Sequence, residues 1–211
     1  MLIKRLINLD KREKLLEVSE KLFSEQGYEG TSTRQIARES GINIAMISYY
    51  FGSKEGLYLA MAEERVAFVR ENLIRINKEE PDLWKRLDLF IEFYVENFLT
   101  RPYVHRVIYR ELSTSQREDL HDTFSKMIKT ASSEIMKFFE QGVSSGTFRK
   151  VDIPFTMATM IGTIFQMINT PVIVTKILGE KGVGKDGSYS DAHRKRLIQH
   201  LKELLGNHLK P

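Results

Sequence analysis

The chain has 211 residues, a formal net charge of +4, 42% hydrophobic and 28% charged residues, and no cysteine. That length can bury a sizeable core without covalent staples, and the missing cysteine excludes both a disulfide framework and a thiolate metal site. No apolar run approaches the roughly 20 residues that a membrane-spanning helix needs. The basic, apolar stretch 1–9 is too short for a signal peptide and lacks a cleavage site, so a cytoplasmic protein without membrane contact is expected.

The charge is unevenly spread: residues 1–60 carry +1, 61–171 carry −1 and 172–211 carry +4. The excess is C-terminal, so nucleic-acid binding has to be argued from placed residues rather than from the isoelectric point.

In chain order, residues 10–27 read as a helix. Leu15, Val18 and Leu22, with Leu16 and Phe23, repeat at three and four, and Gly27 ends it. Lys4, Arg5, Lys11 and Arg12 lie at or before its start, as phosphate contacts or as a solvated arm. Two short helices follow. Ser32 can cap the first, and Gln35 completes a capping box. Ile36 and Ala37 face inward. Gly41 ends this helix in a left-handed conformation. Asn43 caps the second, with Ile47 as its core position, and the second helix covers about 44–51. Ser53 caps a longer helix over 54–78. That helix closes the head with Leu57, Tyr58, Ala60 and Met61, and feeds a second core with Val66, Phe68, Val69, Leu73 and Ile76. A break near Glu63 or Glu64 is expected in it.

Residues 83–100 are apolar on more than one face, so this helix is buried on several sides. A short helix over 103–112 and a long one over 116–142 come next. Pro154 opens a helix through about Asn169, and Pro171 stops or kinks it. A Gly-rich linker, 179–187, precedes a last helix over 190–209, basic on one side, with Leu197, Ile198, Leu201, Leu204 and Leu205 inward. The architecture is all-α. It has an N-terminal three-helix domain at 9–69, with a helix-turn-helix at 32–51, and a larger helical domain at 70–211.

Two short helices joined by a turn of three or four residues containing Gly form a helix-turn-helix, whose second helix can lie in the DNA major groove. The run Thr33-Arg34-Gln35-Ile36-Ala37, then Gly41, Ile47-Ser48-Tyr49-Tyr50-Phe51, Ser53-Lys54-Glu55 and Leu57 resembles the N-terminal domain of TetR-family transcriptional regulators. So do Leu22-Phe23, Gly27-Tyr28 and Thr31-Ser32 upstream. The resemblance covers about 9–69. It implies a cytoplasmic, ligand-responsive regulator of transcription, a repressor released from a palindromic operator by a small molecule, with no enzymatic activity and no cofactor. It also implies a homodimer paired as a four-helix bundle through the helices at about 117–142 and 154–169.

The same resemblance assigns DNA contacts residue by residue. Lys54 matches a phosphate-contacting lysine. Thr33 and Arg34 match positions that touch backbone and, for Arg34, a base; an arginine can hold guanine by its O6 and N7 acceptors. Asn43, Ile44, Ala45, Met46, Ser48, Tyr49 and Tyr50 lie on or beside the helix that would enter the groove. One of the two tyrosines has core packing as its alternative. The chain departs from the common pattern at Ile44, Ala45 and Met46, which offer no side-chain hydrogen bonds, and at Ser48, where many relatives carry an aromatic. Direct readout would then lean on thymine methyls and Arg34, with DNA shape contributing. Aromatic and methionine residues of the middle helices are the pocket candidates: Phe90, Tyr94, Phe98, Tyr103, Tyr109, Phe124, Met127 and Phe165. Each also serves as core.

Gly179-Glu180-Lys181-Gly182-Val183-Gly184-Lys185-Asp186 nearly spells a phosphate-binding loop, and 171–178 could precede it as a strand. Asp186 stands where a hydroxyl must reach Mg²⁺, and no series of strands alternates with the helices as a parallel sheet requires. The stretch reads as a linker. The five histidines form no i, i+4 metal pair, so no metal site is expected. The rival reading is a helical protein-interaction module whose hairpin does not bind DNA. It differs in showing no salt-dependent binding to any duplex.

Overall fold

The computed structural model of the chain describes residues 2–114, 118–176, 179, 184 and 188–211. Ten helices run through these residues, with no β-strand among them: α1 Leu2–Gly30, α2 Thr33–Ser40, α3 Ala45–Phe51, α4 Lys54–Glu79, α5 Leu83–Thr100, α6 Pro102–Thr114, α7 Glu118–Ser144, α8 Ile153–Asn169, α9 Pro171–Lys176 and α10 Asp191–Leu209. The all-α expectation holds. The side chains of Lys4 and Arg5, residue Gln116 and the Gly-rich stretch other than Gly179 and Gly184, with its Lys185 and Asp186, lie outside the described residues.

The residues gather into two compact units, Met1–Phe68 with Tyr103–Ile128, and Val69–Pro102 with Lys129–Pro211. Sequence patterning alone assigns all of 70–211 to the larger domain. The first unit shows why Tyr103–Ile128 groups with the N-terminal helices. Arg110 of α6 donates to the carbonyls of Phe23 and Ser24, at 3.3 and 2.8 Å. Tyr58 of α4 donates its hydroxyl to Glu111 Oε2 at 2.9 Å, and the Phe124 ring of α7 lies 5.5 Å from that of Tyr58. These contacts end on backbone carbonyls and a carboxylate, which periodicity alone does not announce.

The core of this unit is Leu15, Leu22 and Phe23 from α1, Ile36 from α2, Ile47 from α3, Leu57 and Met61 from α4, and Phe124 from α7, all buried. Helix α1 begins at Leu2, earlier than the expected residue 10, and its helical path breaks at Gly27, whose φ of 75° favours glycine. Helix α4 is a single run of 26 residues, so the expected break at Glu63 or Glu64 is absent. Glu64 pairs with Arg12 and Arg65 with Glu20. Strong helix formers tied to α1 by ion pairs give no reason for the chain to leave the helix there.

The second unit packs Leu87, Phe90, Ile91 and Val95 of α5 against Ile135, Phe138 and Phe139 of α7, Met160 and Ile164 of α8, and Leu197 and Leu201 of α10. Phe148, in the turn after α7, is buried over Gly142, where a Cβ would fall 2.0 Å from its ring. Buried Arg86 donates to the Glu80 carbonyl and to Gln141 Oε1, satisfying a carbonyl beyond the end of α4. Burial pushes the Tyr94 phenol well above its ordinary pKa. The 171–178 run weighed as a strand is helical over Pro171–Lys176. Pro171 thus opens a new helix, as its fixed φ suits a first helical position. Leu204, expected inward, is 39% exposed.

The two long apolar helices differ in their outer faces. Exposed positions of α7 include Asp119, Asp122, Lys126, Lys129, Lys137 and Glu140. Its apolar side chains are largely taken up within the chain. Helix α8 instead exposes Phe155, Ala158, Thr159, Gly162 and Gln166, a stripe without charge. Phe155 is 74% exposed. Beside it, a groove of about 200 Å³ runs between Phe155, Thr159, Leu204 and His208.

Candidate nucleic-acid interface

The helix-turn-helix lies wholly in the first unit. Ser32 Oγ accepts from the Gln35 N–H at 3.1 Å, so α2 starts where the sequence indicates. Only half of the capping box forms, because the Gln35 side chain donates to Glu39 Oε1 instead of turning back. Gly41 sits at φ 68°, ψ 21°, and the turn hands its N–H to α2 carbonyls. Asn43 Oδ1 accepts from the Ala45 N–H at 2.9 Å. The N-cap position itself falls on Ile44, which makes no side-chain cap bond, so Asn43 closes the turn one residue before the cap and α3 begins at Ala45, one residue later than expected. Ser53 Oγ accepts from the Gly56 N–H and starts α4.

Ile47 is the one buried residue of α3. With it anchored, the helix turns Ala45, Ser48 and Tyr49 outward, and Ile44 stands exposed at its start. Tyr49 is 72% exposed and Ile44 43%. The outward side of α3 thus presents two large side chains, one aliphatic and one aromatic. Met46 and Tyr50 are half-buried. The Tyr50 hydroxyl is enclosed and makes no hydrogen bond, and its ring meets Tyr49 and Phe51 at 5.0 and 6.0 Å. Of the two tyrosines, Tyr50 takes the packing position and Tyr49 the outward one.

On α2, Arg34 is exposed and Thr33 half-buried. Lys54 is half-buried at the start of α4, with its ammonium 4.0 Å from the centroid of the Tyr28 ring. Arg12, a candidate phosphate contact, pairs with Glu64 and lies over the Phe51 ring at 5.2 Å. Sequence reasoning does not single out Tyr28 as a functional residue. Its place in Gly27-Tyr28, where the helical path of α1 breaks, is the available signal. The Tyr28 ring also packs edge-on against Tyr58 at 5.0 Å, so Lys54 rests on an aromatic group fixed to the core. A cation over an aromatic face is held by the ring quadrupole.

Behind the helix-turn-helix, His105 of α6 is buried. Burial first, and the Arg65 charge second, lower its pKa to about 3. It is a neutral core residue at ordinary pH.

The pocket candidates divide between the units. In the second, Phe90, Tyr94 and Phe98 are buried and Phe165 is half-buried. Phe98 meets Tyr94 at 5.4 Å and Phe165 at 5.5 Å. In the first, Phe124 is buried, Tyr103 and Met127 are half-buried and Tyr109 is exposed. Among the described residues no group of three or more His, Asp or Glu is placed to hold a metal ion.

The family comparison falls on this same region. A family model described as "Bacterial regulatory proteins, tetR family" matches residues 15–61. The HTH-type transcriptional repressor NicS of Pseudomonas putida is 27% identical over 164 residues, 75% of this chain and 76% of that protein. The HTH-type transcriptional dual regulator CecR of Shigella flexneri is 50% identical over 60 residues, which span only 28% of this chain and 26% of CecR. Among solved structures, the transcriptional regulator FadR from Bacillus subtilis, in complex with stearoyl-CoA, superposes with a TM-score of 0.70 at 18% identity, covering 93% of this chain and 98% of its own. The TetR-family regulator PfmR from Thermus thermophilus gives 0.67 at 20% identity, covering 95% and 97%. At these identities the structural matches establish the shared fold.

Proposed function

This chain belongs to the TetR family of bacterial regulatory proteins, and from that premise we propose how its head and its helical domain work together. It is a DNA-binding transcriptional regulator and not an enzyme. Helix α3 enters the major groove, with Ile44, Ala45, Ser48 and Tyr49 toward the base edges. Thr33, Asn43 and Lys54 line its flanks and fix register on sugar and phosphate, Arg34 reaches backbone and a guanine edge, and base contacts set sequence. The observation that carries this reading is the outward face of α3. Ile47 alone is buried on that helix, and Tyr49 stands 72% exposed.

The same proposal makes the protein a homodimer, its two heads set for half-sites about one helical turn, ~34 Å, or a multiple of it apart on a palindromic operator. The uncharged stripe of α8, with Leu204 of α10, supports pairing through 154–169. The charged outer face of α7 argues against an equal share for 117–142. The regulator acts as a repressor in the cytoplasm. A small, partly apolar or aromatic molecule releases it by favouring a different spacing of the heads, with a coupling of about 1–3 kcal/mol. The row of Tyr94, Phe98 and Phe165 is the aromatic surface offered to that molecule within the second unit.

Selection of bound fragments from genomic DNA, with and without a metabolite library, tests this directly. A recurring palindrome, lost in the presence of one metabolite class, is the expected result. Fragments without a common sequence would favour the protein-interaction module.

A further inference from the structure

We infer that α3 reads its half-site through the 5-methyl groups of thymine, using Ile44, Ala45 and the ring of Tyr49, so that the core of each half-site is a short run of T·A pairs. The inference rests on the DNA-binding reading above and adds the chemistry of the bases recognised.

The structure leaves few polar means of reading bases on this helix. Asn43, just before it, turns its acceptor to the Ala45 N–H at 2.9 Å and keeps its amide donors. The Tyr50 hydroxyl is enclosed. Met46 is half-buried and carries no donor. What projects outward is the branched side chain of Ile44, the methyl of Ala45, the small hydroxyl of Ser48 and the Tyr49 ring with its phenolic hydroxyl at the tip.

An apolar side chain pressed onto a base edge displaces water from whatever polar atoms that edge presents, and those atoms lose hydrogen bonds. In the major groove a G·C pair shows two acceptors and one donor and no alkyl group. A T·A pair alone shows a methyl group, which apolar side chains contact favourably. A T·A pair shows the same two acceptors and one donor besides its methyl, so the exposed apolar start of α3 favours thymine through burial of that methyl alone. Arginine-to-guanine contacts elsewhere in the head do not alter this local preference.

The test uses the full-length protein and a duplex selected from a random-sequence pool. Each thymine is replaced in turn by deoxyuridine, which deletes only the 5-methyl group. Binding is expected to weaken about fourfold at adjacent thymines of each half-site, the equivalent of one buried methyl at ~0.8 kcal/mol. In the Ile44→Ala protein the effect of deoxyuridine at one of those positions should disappear, while the dependence of affinity on salt stays unchanged. Ile44 is exposed, so its truncation leaves the head folded. Selected duplexes that bind equally well with uridine at every position would overturn the inference and leave DNA binding intact. So would an Ile44→Ala protein that remains as sensitive to every methyl as the wild type. A pool from which no sequence is enriched would overturn the DNA-binding reading, and this inference with it.

Discussion

The ammonium of Lys54 lies 4.0 Å from the centroid of the Tyr28 ring. The lysine that follows the proposed recognition helix is thus held over a tyrosine from the end of α1, whose own ring is braced by Phe23 and Tyr58. A cation held in this way meets a phosphate with less loss of side-chain freedom than one on a free stem.

Lys54→Ala should therefore weaken operator binding for every sequence and reduce the slope of log affinity against log salt by about 1. Tyr28→Leu should weaken binding less, by about two- to fivefold, from a cation–π contribution of ~0.5–1 kcal/mol, and leave the slope unchanged because the charge remains. Titration of labelled duplex at several salt concentrations separates the two effects. An unchanged slope for Lys54→Ala would remove the lysine from the phosphate-contacting set.

Gly142 and Phe148 make a second prediction, in the helical domain. A Cβ at 142 would fall within 2.0–2.9 Å of three ring carbons of Phe148, which is buried under α7. Gly142→Ala should displace that ring and destabilise the fold by about 1–3 kcal/mol, as overpacking does. The gain in helix propensity from Gly to Ala, at most ~1 kcal/mol, acts in the opposite direction and should lose. Chemical denaturation of both proteins decides which effect dominates.

The buried His105 makes stability depend on pH. Its folded pKa is about 3, lowered by burial and then by Arg65, against an ordinary 6.5. Between those values the unfolded chain takes up a proton that the folded chain refuses. This group's contribution to stability is therefore full above pH 6.5. It is lost as pH falls toward 3, by up to ~1.4 kcal/mol per unit. His105→Gln removes that titration. Urea unfolding at about pH 7.5 and about pH 5 should show a smaller drop for the variant than for the wild type, and equal drops would contradict the assignment.

Phe155, 74% exposed on the uncharged stripe of α8, marks the proposed dimer face. Phe155→Arg should shift the protein from twice the chain mass to a monomer in sedimentation at micromolar concentration. Lys137→Glu, on the charged outer face of α7, should leave the assembly unchanged. The reverse pattern would place the interface on α7.

The head was legible in the sequence because its helices are short and punctuated. Ser32, Gly41, Asn43 and Ser53 all take the capping or turning positions their chemistry suits. What the sequence concealed were contacts between distant residues. Arg110 reaching the carbonyls of Phe23 and Ser24, and Tyr58 reaching Glu111, leave no periodic trace, yet they gather α6 with the head. The pairing role of α7 is undetermined by its sequence for a related reason. Apolar residues on several faces signal burial, but not whether the covering surface comes from the same chain or another. The expected break in α4 failed because a change of partners along a helix does not require a change of backbone.

The most direct test of the account is the affinity of the full-length protein for a selected duplex, relative to a scrambled one of equal length, with Tyr49 and Ile44 both intact and both changed to Glu. The account predicts a strong preference that falls to near unity in the double variant, while the fold, followed by circular dichroism, persists. A preference that survives both substitutions would show that the face formed by α3 does not read the operator.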